Sequence, residues 1–113
     1  MPNRQDRGGA ILEIARGLHA VGAIDNERMR EYEAVVVNRF RDSGDQARSR
    51  AERLAYVHAR ATGALGSEAK AISWLAAPNR ALDGRRPIDL LDSDAAAAQL
   101  EAVLARIEHG IFG

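Results

Sequence analysis

The stretch Gln46-Ala47-Arg48-Ser49-Arg50-Ala51-Glu52-Arg53-Leu54-Ala55-Tyr56-Val57-His58-Ala59-Arg60-Ala61-Thr62 decides the fold class. Ala47, Ala51, Leu54, Ala55, His58 and Ala61 recur at three- and four-residue intervals, the repeat of one face of a helix. Arg48, Arg50, Arg53 and Arg60 fall mostly outside that stripe, and Gly63 is expected to end the helix. The same bias runs through the chain. Of its 113 residues 46% are apolar, but 22 are alanine, which favours helix and permits close helix approach. The β-branched and aromatic residues that strands prefer are sparse. An all-α fold follows: a compact bundle of five to six helices and no strand.

Working outward toward the N-terminus, Ile11, Leu12, Ile14, Ala15, Leu18 and Val21 mark the inner stripe of a first helix stopped by Gly22. The polar residues 1–9 before it read as a flexible tail. Asp25 stands where an N-cap belongs. Met29, Tyr32, Val36 and Phe40 are the expected buried stripe of a second helix, and Ser43-Gly44-Asp45 interrupts it. Toward the C-terminus, Gly66-Ser67 gives a stop and a new cap, with Glu68 in the first turn where the helix dipole favours an acid. Ile72, Trp74 and Leu75 point inward, and Pro78 ends that helix near Ala76. Asn79 to Leu82 can form one turn, closed by Gly84. Pro87 then opens a short helix, Ile88 to Leu91. Asp92-Ser93-Asp94 offers several caps for a last helix, Ala95 to His109, whose stripe is Leu100, Val103, Leu104 and Ile107. Gly110 stops it, leaving Ile111-Phe112-Gly113 as a tail.

Sixteen basic and sixteen acidic residues cancel. That argues against a surface built mainly for nucleic acid, which needs a positive excess. The absence of cysteine excludes disulfides and thiolate chemistry. No apolar run approaches the ~20 residues that span a bilayer, and the first residues lack the apolar region of a secretory signal, so a cytoplasmic protein without membrane attachment is expected. His19, His58 and His109 have no metal-ligand spacing. There is no phosphate loop and no nucleophile elbow, and Asp92 and Asp94 read as capping groups. Neither catalysis, metal nor cofactor is expected. Leu18, Gly22 and Met29 loosely mimic helix-turn-helix spacing, with Arg28, Arg30 and Arg39 placed toward phosphates, but Glu27, Glu31 and Glu33 on the same helix would repel the backbone.

The densest run of unusual residues extends from Trp74 to Leu91. One reading is purely structural, with Trp74, Leu82, Pro87 and Leu90 locking a corner. The ordered pattern Gly66, Ala69, Trp74-Leu75, Pro78-Asn79, Leu82, Gly84, Arg86-Pro87, Asp89-Leu90-Leu91 and Arg106-Ile107-Glu108-His109-Gly110 also resembles the toxin-binding domain of the Xre/MbcA/ParS antitoxins. The resemblance covers about residues 64–113. It implies an all-helical, non-catalytic antitoxin. Its partner would be a RES-domain toxin that consumes NAD or transfers ADP-ribose, occluded at its active site. Arg85 and Arg86 are then candidates for the contacting turn. His109, Gly110, Ile111, Phe112 and Gly113 are candidates for the blocking end. Trp74, Pro78, Asn79, Leu82, Gly84, Pro87, Asp89 and Leu90 are structural members of the motif. Phe112 lies past a helix stop, where an aromatic anchor suits an interface. The other possibility is that it folds back on Leu104.

The resemblance divides the chain into the tail of residues 1–9, a helical region of residues 10–63, and the toxin-binding domain of residues 64–113. The middle region is either a degenerate helix-turn-helix or a dimerisation element. A homodimer or a toxin–antitoxin hetero-oligomer is the expected assembly. The competing function is a small helical regulator that binds DNA at its own operator.

Overall fold

The computed structural model describes residues 4–38 and 45–110. Five α-helices follow in order: α1 (Arg4–Ala20), α2 (Asn26–Asn38), α3 (Asp45–Leu65), α4 (Glu68–Ala76) and α5 (Asp94–Glu108). Two 3-10 turns, Arg80–Leu82 and Pro87–Leu90, join α4 to α5. Among the described residues there is no strand, only an isolated antiparallel bridge between Asn79 and Arg85. The all-α bundle is therefore the observed architecture.

Helix α3 is the centre. It packs against α1, α2, α4 and α5. Leu54, Val57, Ala51 and Ala61 on its inner side are wholly shielded, as are Ala15 on α1 and Ala71 on α4. Small side chains at these crossings let the helix axes approach closely. At Gly17 of α1 the approach is limiting, because an added Cβ would stand 3.3 Å from Ile72 Cδ1 on α4. Leu18, Tyr32, Leu54, Leu75, Leu82, Leu91, Leu100 and Leu104 belong to one continuous core. Burying each side chain of this size contributes roughly 1.5–3 kcal/mol. The expected boundary between residues 63 and 64 lies inside α3, with this single core on both sides.

The local signals explain most helix ends. Asp25 Oδ1 accepts from the Arg28 N–H at 2.8 Å, Ser67 Oγ from Lys70 N–H at 3.1 Å, and Ser93 Oγ from Ala96 N–H at 3.1 Å. Each satisfies an N–H that has no partner within its own helix. Among the three expected caps at 92–94, Ser93 takes the role.

Several expectations are corrected. Helix α1 extends back to Arg4, into the stretch expected as a tail. Val21 is 60% exposed rather than buried. The chain has already left the helix there, with Ala23 N–H bonding the Leu18 carbonyl at 2.8 Å, and Ala23 and Ile24 are the residues that turn inward. Gly63 does not end α3, which runs on to Leu65. The stop falls at Gly66, whose φ of +96° is costly for any residue with a Cβ. Val35 and Val57 are buried although neither lay on an expected stripe. Phe40, Ser43 and Gly44 lie outside the described residues, and Asp45 opens α3.

Candidate functional site

The segment after α4 is built as a closed corner. Pro78 follows the last helical residues, and Asn79 organises what comes next. Its side-chain oxygen accepts from Ala81 N–H at 2.8 Å, its carbonyl accepts from Gly84 N–H at 2.9 Å, and its own N–H donates to the Arg85 carbonyl at 3.0 Å. Leu82 is buried at the tip of this loop, and Asp83 adopts a left-handed conformation with φ of 60°. The second turn buries Pro87, Ile88 and Leu90. Leu82, Pro87 and Leu90 are therefore packing residues, Trp74 and Asn79 are half-buried, and Pro78, Gly84 and Asp89 stay at the surface.

The two arginines of the corner differ. Arg86 clamps Asp89 with both arms of its guanidinium, at 2.9 and 3.1 Å. This bidentate pair fixes the entry into the second turn and holds the Arg86 charge. Arg85 is exposed, and its Nε reaches only the Leu82 carbonyl at 3.4 Å. Of the pair, Arg85 presents its charge to solvent while Arg86 spends its own within the fold.

The following loop is held by side chains of α3. Arg50 contacts Asp92 at 2.7 Å and pairs with Glu31 of α2. Arg53 pairs with Asp94 at 2.9 Å and donates to the Leu91 carbonyl at 2.9 Å. Gln46 donates to the Asp92 carbonyl at 3.2 Å. The Arg50 and Arg53 side chains retain only 13% and 18% exposure. They were expected mostly outside. Their partners come from distant parts of the chain, so no local pattern marks them. Arg28 also binds Glu31, at 3.1 Å. Tyr32 lies beneath this network, and burial pushes its pKa up to about 12 against the opposing effect of Arg28 and Arg50.

Helix α5 carries the site to its C-terminal end. Arg53 pairs with Asp94, Tyr56 donates to Glu101 at 3.0 Å, and Arg60 faces Glu108 at 3.5 Å. Both sets of numbers ascend, so α3 and α5 run parallel, with Leu100 and Leu104 sealed between them and the remaining core. His109 and Gly110 are exposed at the end of this assembly, and Gly110 N–H bonds the Ile107 carbonyl at 3.1 Å. The expected blocking residues Ile111, Phe112 and Gly113 lie outside the described residues.

One feature was not read from the sequence. An open cleft of about 350 Å³ runs between the end of α3 and α4, lined by Leu65, Ala69, Lys70, Ser73 and Trp74. The 69/73 and 70/74 pairs are spaced by one helical turn, but Leu65 arrives from the preceding helix. Only the sharp turn at Gly66 brings the three walls together.

Among the described residues no group of three or more His, Asp or Glu side chains is disposed to hold a metal ion. His19 Nε2 lies 2.7 Å from Asn26 Oδ1, and His58 is buried with its pKa lowered by desolvation, opposed by Glu68. No described helix is long and apolar enough to cross a membrane.

Residues 59–110 match the family described as the antitoxin Xre/MbcA/ParS C-terminal toxin-binding domain. The matched segment is similar to that toxin-binding domain over a little under half of the chain. A curated relative, Antitoxin Xre of Yersinia enterocolitica serotype O:8 / biotype 1B, is 36% identical over 47 residues. That alignment covers 42% of this chain and 32% of the relative, so the chain matches about a third of that protein's length. The matched segment contains the closed corner, the Arg60–Glu108 pair, the apolar cleft and the exposed end at His109. It begins in the middle of α3, a helix that the rest of the chain also needs.

Proposed function

We propose that this chain is the antitoxin of a toxin–antitoxin pair and acts by binding, without catalysis of its own. The observation that carries the reading is the match to a toxin-binding domain over the segment whose last helix is tied to α3 at Asp94, Glu101 and Glu108. A pinned helix delivers its end in one direction, which a steric inhibitor requires. The partner is a RES-domain toxin that uses NAD, either consuming it or transferring ADP-ribose. His109, Gly110, Ile111, Phe112 and Gly113 enter its active-site cleft and exclude substrate. Arg85 offers a free guanidinium to the toxin surface. Arg86 works indirectly, by holding the corner through Asp89.

The test is co-expression with the toxin encoded by the adjacent gene. Growth arrest by the toxin should be relieved by the full chain. Deleting residues 110–113 should abolish relief while leaving thermal melting nearly unchanged. Retention of full neutralisation by the shortened chain would sink the plug mechanism. Operator binding is not favoured, because Arg28, one of the arginines placed toward phosphates, is already occupied by Glu31.

A further inference from the structure

We propose that the cleft between α3 and α4 is a second docking point for the toxin, separate from the C-terminal end. It would seat one apolar toxin side chain with an acidic group beside it. This inference rests on the antitoxin reading and adds a site to it.

The cleft is an open surface depression with mainly apolar walls rather than an enclosed packing defect. Its walls are Leu65, Ala69 and Trp74, with Ser73 and Lys70 at the edge. The core-facing side of α4 is Ala71 and Leu75, both wholly buried, so the fold does not need the Ala69–Ser73 side for its own packing. Ala69, Lys70 and Ser73 are exposed. The volume of about 350 Å³ suits one large side chain and lies at the small end of the range for organic ligands, about 300–1,000 Å³. Trp74 is the sole tryptophan of the chain and only half-buried, the residue type that most often anchors an interface.

Charge selects the partner's chemistry. Lys70 is the sole lysine. Arg28, Arg50, Arg53, Arg60 and Arg86 are all matched to carboxylates of the chain itself. Lys70 has no such match among the described residues. An uncompensated ammonium at the mouth of an apolar cleft favours a partner that brings a carboxylate next to its apolar anchor, which sets register as well as attraction. The whole cleft falls inside residues 59–110, the segment that matches a toxin-binding family.

The experiment measures binding of the adjacent-gene toxin to the full chain and to two surface variants, Ala69→Arg and Lys70→Glu. Both positions are exposed, so melting should be preserved. Each substitution should weaken binding by about tenfold or more. In parallel, fluorotryptophan incorporated into the antitoxin alone gives a single fluorine NMR resonance for Trp74. Toxin should shift that resonance and shield it from a soluble paramagnetic quencher. This second readout stands even if a variant fails to fold. If the native chain binds toxin, both variants bind equally well and the Trp74 resonance is unmoved, the cleft proposal is overturned and the antitoxin reading survives. If the native chain does not bind toxin, the antitoxin reading fails and takes this proposal with it. A Trp74 resonance that moves on deleting residues 111–113 would assign the cleft to the chain's own end. One that moves with protein concentration would assign it to a second copy. Either result overturns the toxin assignment.

Discussion

Cutting the chain before Ala59, at the border of the segment that matches the antitoxin domain, removes α1, α2 and the first two thirds of α3. Leu75, Leu100 and Leu104 have no exposure in the full chain. They share one core with Leu54 and Val57 of the missing part of α3, the helix that packs against both α4 and α5. If half of each leucine becomes exposed, the three together lose about 2–4 kcal/mol. The pairs Arg53–Asp94 and Tyr56–Glu101 disappear as well, although both are solvent-screened and add little. Whole domains of this size are stable by about 5–15 kcal/mol, and a half-length piece starts with a smaller share because it buries less of its surface. The fragment should therefore lie at or below the folding threshold. Urea titration followed by far-UV circular dichroism is the assay. The full chain should unfold in one sigmoidal transition, and the fragment should lose helicity gradually from the first additions. A cooperative transition of the fragment at a urea midpoint close to that of the full chain would refute the view that residues 59–110 borrow α3.

Arg50→Ala leaves Glu31 and Asp92 without their shared partner and should cost about 1 kcal/mol, tempered by the exposure of Asp92. Thermal melting should fall by roughly 5 °C, and an unchanged melting temperature would show the network to be ornamental. Gly63→Ala and Gly66→Ala should act in opposite senses. The first fills open helical space and stabilises by up to about 1 kcal/mol, while the second forces a Cβ onto a φ of +96° and destabilises by about 1–2 kcal/mol. Equal effects in calorimetry would contradict the placement of the α3 stop. His58 has its pKa lowered by burial, so the unfolded chain binds its proton more readily. Its contribution is fully present above its ordinary value near 6.5 and is lost as pH falls from there through the lowered folded value. Urea midpoints should drop across that window, and His58→Gln should flatten the dependence.

The helical architecture was legible because its signals are local. Asp25, Ser67 and Ser93 satisfy N–H groups three residues away, Pro78 restricts the residue before it, and the apolar spacing of Leu100 and Leu104 needs no distant information. The corner from Asn79 to Leu91 was legible for the same reason. What failed to read depends on long-range partners. Arg50 and Arg53 looked like solvent-facing residues because a helical stripe marks them polar, yet Glu31, Leu91, Asp92 and Asp94 arrive from distant segments to cover them. Val21 looked apolar and periodic, but the chain had already turned at Ala20. Gly63 and Gly66 carry equal glycine signals, and only the backbone direction after Leu65 decides between them. At the candidate site, Arg85 and Arg86 were paired as equivalent contacts. Asp89, three residues past Arg86, was the local clue that separates them. The cleft at Trp74 had no comparable clue, since Leu65 joins it across a turn.

The polar partners on α5 are Asp94, Glu101 and Glu108, each seven residues from the next. Seven residues nearly complete two turns at 3.6 residues per turn, so these side chains stay on one line of the helix. That spacing restricts how this helix can change length over evolutionary time. Inserting one residue after Asp94 would swing Glu101 and Glu108 about 100° around the axis and strand Tyr56 and Arg60 together. Adding or losing seven would keep the line intact and shift the exposed end by about 10 Å. Length variation compatible with the ladder is thus quantised, and a chain that tuned its reach into a partner would do so in double-turn steps.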